Sequence, residues 1–399
     1  MNPKFNFINI KNLVNISMFT IFFIPATYLV GIHIPLSSNY LFALYPLMMI
    51  LYKNKITTPH IYILSVIYLY IFIFFVSILT QMELSQFYDR KLASFFIFMT
   101  IFSYLFISID TAQISAFKIS IVLASFLMMA PSVHGFFSSG IDSFGFEAKG
   151  LFGSQRYGFI YIMAFWIVYL YKPIKMPWAF LLKYLALMLI IAGIFLTFSR
   201  SSVLAWLVSL VAYVFYESIF SKKKFTKKIK WLLAFIFTFF CAYLLIDLYA
   251  HLLIKFFNVT FFSKLLDMGA NGFNLSNSSG SEGYRMYMFE KIMKFITTNP
   301  FTGSGYLGVW ILFDNLAGSA HNQYTDVLFR TGVFGFIIYI LLIKRVVTYL
   351  FECDKSLFFG FIGVLVYGLF HETFKLSQGG FLLAFLLALA FQKKPLTNQ

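Results

Sequence analysis

The residues best suited to chemistry in this chain are its arginines. There are only six, at Arg90, Arg156, Arg200, Arg285, Arg330 and Arg345, and lysine outnumbers them several-fold. A guanidinium offers a planar fork of donors that matches phosphate oxygens and stays charged at any working pH. The topology argued below puts all but Arg345 on one side of the chain. Five such forks at one surface suit a pyrophosphate. The plainer reading pairs them with the acids on the same side, Asp89, Glu147, Glu282 and Asp326. Arg200 stands out, because Leu196-Thr197-Phe198-Ser199-Arg200-Ser201-Ser202 joins two long apolar runs with almost no loop. A charge at that position is costly and defaults to a functional reading, against the alternative that it snorkels to an interface. The flanking serines, Ser199 among them, point to a polar pocket.

Histidine supplies the complementary chemistry. Of six histidines, His321 lies in the polar sequence Ser319-Ala320-His321-Asn322-Gln323-Tyr324-Thr325-Asp326. An imidazole titrates near neutrality, so it can take a proton from a hydroxyl nucleophile. If this stretch is helical, Tyr324 and Thr325 share its face. The plainer alternative is a histidine that caps a helix start. Two further polar groupings, Asp247 with His251 and His371-Glu372 with Lys375, read as structural pairs or as parts of a cavity wall. The two cysteines, Cys241 and Cys353, form no metal or disulfide pattern.

These residues are embedded in a chain of 399 residues that is 60% hydrophobic and 12% charged, with a mean hydropathy of +0.82. Soluble domains carry about 25% charged residues. Apolar runs near the length of a membrane crossing recur throughout. They are continuous rather than alternating with period two, which argues against a β-barrel. The fold class expected is therefore all-α, a polytopic transmembrane bundle of about 12 helices. The spans read as 13–34, 39–52, 61–80, 92–109, 118–136, 157–171, 179–198, 202–220, 231–251, 326–343, 357–371 and 377–392. The first is too long for a signal-peptide core and reads as a retained helix.

The net charge of +16 falls mostly in short loops, so it reports orientation rather than nucleic-acid binding. Lysines precede the first span and follow the second, sixth, eighth, tenth and twelfth, all on one side if there are twelve spans. The positive-inside rule then places both termini in the cytoplasm and the chain in the inner membrane. A single integral membrane domain results: helices 1–9 over residues 1–250, a large periplasmic loop over 251–325, and helices 10–12 over 326–399. Within the loop, Tyr284–Thr298 reads as an amphipathic helix with Met286, Phe289, Met293 and Ile296 near one face. Asn299-Pro300 ends it, and Gly303, Gly305 and Gly308 read as a flexible turn region.

Three segments resemble the O-antigen polymerase and ligase superfamily of membrane glycosyltransferases (Wzy/WaaL-like). Leu196–Ser202 is similar to that family's Thr-x-Ser-Arg corner between two spans. Gly283-Tyr284-Arg285, with Asn299-Pro300-Phe301-Thr302-Gly303-Ser304-Gly305, resembles its loop helix and following turn. Ala320-His321-Asn322-Gln323-Tyr324, followed by Gly332 and Gly335, resembles its His-Asn-x-Tyr signature. The resemblance covers about residues 190–340. It implies transfer of a glycan from undecaprenyl pyrophosphate, in contact with membrane lipid, to an acceptor hydroxyl at the periplasmic face. It implies no cofactor and no metal. Arg200 and Arg285 would neutralise the leaving pyrophosphate, and His321 would activate the acceptor. Arg156, Arg330, Tyr324, Asn322 and Ser199 would complete the substrate site. A polymerase extends a lipid-linked repeat unit, whereas a ligase glycosylates the lipid A core. The divergent sequence, rich in phenylalanine and lysine, looks like the polymerases, for which a chain-length regulator is an expected partner. The rival classes are a polysaccharide flippase, a small-anion transporter and a membrane scaffold. A flippase calls for charges lining its spans, and the mid-span positions here are nearly all apolar.

Overall fold

The computed structural model describes residues 10–24, 42, 44–53, 100–138, 157–173, 176–197, 199–220, 281–305, 307–312 and 320–392. Among these the protein is all-helical, with no strand. The helices are α1 (Ile10–Phe23), α2 (Leu44–Lys53), α3 (Thr111–Ser138), α4 (Gly158–Leu170), α5 (Pro177–Leu196), α6 (Arg200–Phe220), α7 (Ser281–Thr298), α8 (Gln323–Cys353), α9 (Lys355–Tyr367) and α10 (Ser377–Ala390). Four described stretches are long and apolar enough to cross a membrane: Thr111–Met129, Pro177–Phe195, Ser201–Ile219 and Gln323–Cys353. The expected spans 61–80 and 231–251, and the Asp247–His251 pair, lie outside the described residues. Contacts divide the chain into two compact units.

The first unit contains residues 1–124, 279–358 and 368–399. Its centre is aromatic. Phe19, Phe22, Phe23, Tyr45 and Tyr104 gather around Phe381, and Phe117 stacks on Phe385 at 3.9 Å and 4°. Helix starts are fixed by side chains. Asp110 and Gln113 exchange side-chain and backbone hydrogen bonds of 2.8 Å each, a reciprocal cap at the head of α3. Asp354 Oδ1 accepts from the Ser356 and Leu357 amides to open α9 and its other oxygen pairs with Lys118.

Helices α8 and α10 run parallel. At one end the residues before α8 meet the segment before α10, with the Gln323 amide donating to Gly368 O at 2.7 Å. At the other end Arg345 Nε donates to Ala390 O at 3.0 Å, a cation against the carbonyl end of α10. The expected tenth span, 326–343, is thus longer than its apolar run. It starts at Gln323, where Asn322 caps it, and passes through Lys344 and Arg345 to Cys353.

A break in α8 joins it to α7. Gly332 has φ 65° and ψ −172°, outside the helical region. In an unbroken helix the Val333 amide would donate to Phe329 O. Here it donates to Pro300 O at 2.8 Å, and Phe329 O instead accepts from the Ser304 amide at 2.7 Å. The broken helix and the Asn299–Ser304 turn therefore satisfy each other's backbone groups. Both chains must come very close, and glycine allows it. A Cβ on Gly332 would lie 2.2 Å from Phe301 O, and one on Gly303 (φ 59°) would lie 2.3 Å from Phe329 O. The glycine turn is therefore a close-packed joint rather than the flexible region expected.

Beside the joint, Met288, Ile292, Ile296, Val309 and Phe329 are buried together. Fully burying side chains of this size contributes roughly 2 kcal/mol each. This shifts the expected face of α7, of which Ile296 is buried and Met293 packs against the same cluster. The buried stripe is Met288, Ile292 and Ile296, at strict four-residue spacing, and Phe289 is exposed.

The second unit contains residues 125–278 and 359–367. Its helices approach closely through small residues, as membrane helices do. A Cβ on Gly193 would meet the Tyr161 ring at 2.4 Å, and one on Gly360 would meet Met163 Sδ at 2.6 Å. Trp166 Nε1 donates to Ser209 Oγ at 2.8 Å. The link between α5 and α6 is as tight as the sequence suggests, with α5 ending at Leu196 and α6 starting at Arg200.

Gly332→Ala is expected to lower the unfolding free energy by at least about 2 kcal/mol, because it adds left-handed strain to a steric clash. Val333→Ala, at a half-exposed neighbouring position, should change it little. Thermal unfolding of the two purified variants in detergent checks this contrast.

Candidate functional site

The sequence-predicted residues fall into two groups. Ser199 and Arg200 lie at the corner that opens α6, in the second unit. The corner is made rigid by hydroxyls. Thr197 Oγ1 donates to Ile194 O at 2.7 Å, the Ser199 amide donates to Thr197 Oγ1 at 3.3 Å, and Ser199 and Ser201 hydroxyls share a 2.6 Å hydrogen bond. Thr197, Ser199, Ser201 and Ser202 are all buried. Arg200 is the first residue of α6, at a helix N-terminus, where the helix dipole favours anions.

Arg285, His321, Asn322, Tyr324 and Arg330 belong to the first unit. Arg285 sits in the second turn of α7. Arg156 lies outside the described residues.

His321 is not on a helix, contrary to the expectation that Tyr324 and Thr325 would share its face. It precedes the helix by two residues and has φ 52°. Among the described residues it is the one non-glycine in the left-handed region. Such a conformation costs roughly 1–2 kcal/mol for a residue with a Cβ. It persists only where surrounding structure imposes it, and it gathers at functional sites. The cap of α8 is Asn322, whose Oδ1 accepts from the Tyr324 and Thr325 amides at 2.9 and 3.1 Å. His321 is therefore spared the capping role that was its plainer reading.

What imposes the conformation is residues 368–376, between α9 and α10. Glu372 Oε1 accepts from the Ala320 amide. Gly368 O accepts from the Gln323 amide at 2.7 Å. Gln323 Oε1, in turn, accepts from the Phe374 amide at 2.8 Å. Three hydrogen bonds thus bracket His321 on both sides.

Arg330 is buried and its Nε donates to Asp326 Oδ2 at 2.8 Å. This is the acid pairing set out as the plainer reading of the arginines. Lys375 joins the group, donating to Glu372 Oε2 at 2.7 Å and standing 4.0 Å from Asp326 Oδ1. Two acids and two bases make a formally neutral cluster, buried except at Lys375, that is tied to the His321 turn through Glu372. Asp326 Oδ1 is buried without a hydrogen-bond partner. Burial first, and the neighbouring Asp326 carboxylate second, push the Glu372 carboxyl above the usual carboxylate range, against the pull of Lys375.

Sequence reasoning noticed Glu372 and Lys375 but had no means of joining them to His321. The available signal was their polarity between two apolar runs, where charges are rare and paired. Among the described residues no cluster of three or more histidine, cysteine or acidic side chains could hold a metal ion.

The apolar helices of membrane-crossing length mark a membrane-embedded protein. Residues 185–340 match the family described as O-antigen ligase (Wzy_C). The match supports membership of the O-antigen polymerase and ligase superfamily, and with it polymerase or ligase activity on lipid-linked glycans in general. It runs from α5 through the first half of α8, so it takes in Ser199, Arg200, Arg285, His321 and Arg330. No curated protein matches the chain.

Two outcomes follow from the cluster. Arg330→Met leaves buried carboxylates with Lys375 alone and should cost about 3 kcal/mol; adding Asp326→Asn should recover part of the loss, as read by thermal unfolding. The raised Glu372 carboxyl makes the folded protein hold a proton more tightly than the unfolded chain does. Stability should therefore fall as pH rises from the ordinary carboxylate value, near 4.5, through the raised one. Glu372→Gln should flatten that slope in a series of melting curves.

Proposed function

We propose that the protein is a surface-polysaccharide polymerase of the inner membrane. It transfers a glycan from undecaprenyl pyrophosphate to a sugar hydroxyl of another lipid-linked repeat unit at the periplasmic face. The observation that carries this reading is the strained His321 turn within a segment that matches the O-antigen ligase family. A protein holds a histidine in a costly conformation when the placement of its ring matters.

The chemistry divides between two kinds of group. The bond that breaks joins the anomeric carbon to the lipid pyrophosphate, which leaves more readily as its charge is neutralised. That role falls to Arg200 and Arg285. The bond that forms joins the same carbon to the acceptor oxygen, and His321 accepts the proton released. Attack from the face opposite the leaving group inverts the anomeric centre. Tyr324, half-buried in the first turn of α8, would contact the sugar. Arg330 acts beneath the site through its pairing with Asp326. The scheme needs no cofactor or metal. A chain-length regulator would act on the complete protein from outside.

A ligase would use the same leaving group and base with lipid A core as acceptor. The divergent composition favours the polymerase. The lipopolysaccharide ladder from a deletion strain separates the two. Core bearing a single repeat unit means polymerase, and bare core with accumulated lipid-linked polymer means ligase. Arg200→Ala and His321→Ala should fail to restore the ladder, by at least about a hundredfold in polymer formed. An unaltered ladder with either variant would refute the assignment of that residue.

A further inference from the structure

We propose that Glu372 is a positioning residue of the transfer site, acting on His321 through the Ala320 amide. This rests on the reading of His321 as the proton acceptor. Nothing in the family match extends to it, since residues 185–340 end well before the segment 368–376.

Three observations carry the inference. His321 is in the left-handed region at φ 52°, so its backbone must be held from outside. The amide immediately before it donates to Glu372 Oε1. The Glu372 carboxyl is itself fixed, because Lys375 Nζ donates to Oε2 at 2.7 Å and the side chain is only 8% exposed. Around it stand Asp326 and Arg330 from α8 and Lys375 from its own segment. A carboxylate in such surroundings cannot swing away, and neither can the amide it holds. The Gln323 side chain and the Gly368 carbonyl close the other side of the turn. The imidazole is then delivered at one height and one angle to whatever hydroxyl enters.

Charge and hydrogen bond can be separated at this position. Glu372→Gln removes the charge and keeps an acceptor oxygen at the same reach. Glu372→Asp keeps the charge and its pairing with Lys375 but withdraws the acceptor by one methylene. The assay uses the full-length protein in detergent with lipid-linked oligosaccharide extracted from the deletion strain, and His321→Ala serves as reference. Misplacing a reacting group by about 1 Å costs on the order of a hundredfold. The expected result is a 10- to 100-fold loss of kcat in Glu372→Asp, an unchanged KM for the lipid-linked donor, and activity within about threefold of wild type in Glu372→Gln. A mere packing role would lower the melting temperature without this split between the two variants. Full activity in Glu372→Asp, or a greater loss in Glu372→Gln than in Glu372→Asp, would overturn the inference. If His321→Ala itself stays active, the reading of His321 fails instead, and the two failures are distinct.

Discussion

The exchange of backbone partners at Gly332 is the constraint on which the site depends. A helix of 31 residues would ordinarily satisfy its own amides and carbonyls. Breaking it frees Phe329 O and the Val333 amide, and the Asn299–Ser304 turn takes both. Neither element is complete without the other, since an unpaired backbone group buried in an apolar setting costs as much as a lost hydrogen bond. The joint fixes where α7 ends relative to the first turns of α8. Those turns and their cap carry Asn322, Tyr324, Asp326 and Arg330, so the polar groups that α8 contributes near His321 inherit their position from the joint.

A second layer of constraint comes from charge. Asp326, Arg330, Glu372 and Lys375 form a neutral group in which no member can be removed without stranding another. Buried pairs of this kind add little net stability compared with well-packed apolar residues. Their contribution here is orientation: the cluster ties the start of α8 to the start of α10, and the aromatic packing of Phe381 and Phe385 on Phe117 and Phe19 holds α10 in turn. The strain at His321 is sustained by this chain of contacts.

Much of this was legible in the sequence. Apolar runs located α4, α5, α6 and α10 within two residues and found α3 and α8 while falling short at the start of one and the end of the other, and the Asn-Pro pair marked the end of α7. Three things were not legible, each for a physical reason. A single glycine inside an apolar helical pattern is normally tolerated, so nothing marked Gly332 as a break; its meaning lies in the approach of Phe301. The face of α7 was read only in part because Met288 and Ile292 sit among other large apolar residues, and only packing against Phe329 selects them. The support of His321 by Glu372 joins a backbone amide to a side chain far along the chain, and such a bond leaves no local pattern. Arg330 shows the opposite case. Its acid partner four residues earlier was visible, and the pairing took place.

The bond between Ala320 and Glu372 spans 52 residues, and this has a consequence for how the protein comes into being. While the chain is being synthesised and inserted, His321 reaches the membrane well before the segment that holds it. Until α9 has turned back and residues 368–376 have arrived, the histidine is free to relax out of its strained conformation. The His321 turn is thus completed among the last events of biogenesis. A nascent or prematurely terminated chain would carry the arginines and the histidine and still lack the backbone contacts that hold the histidine in place.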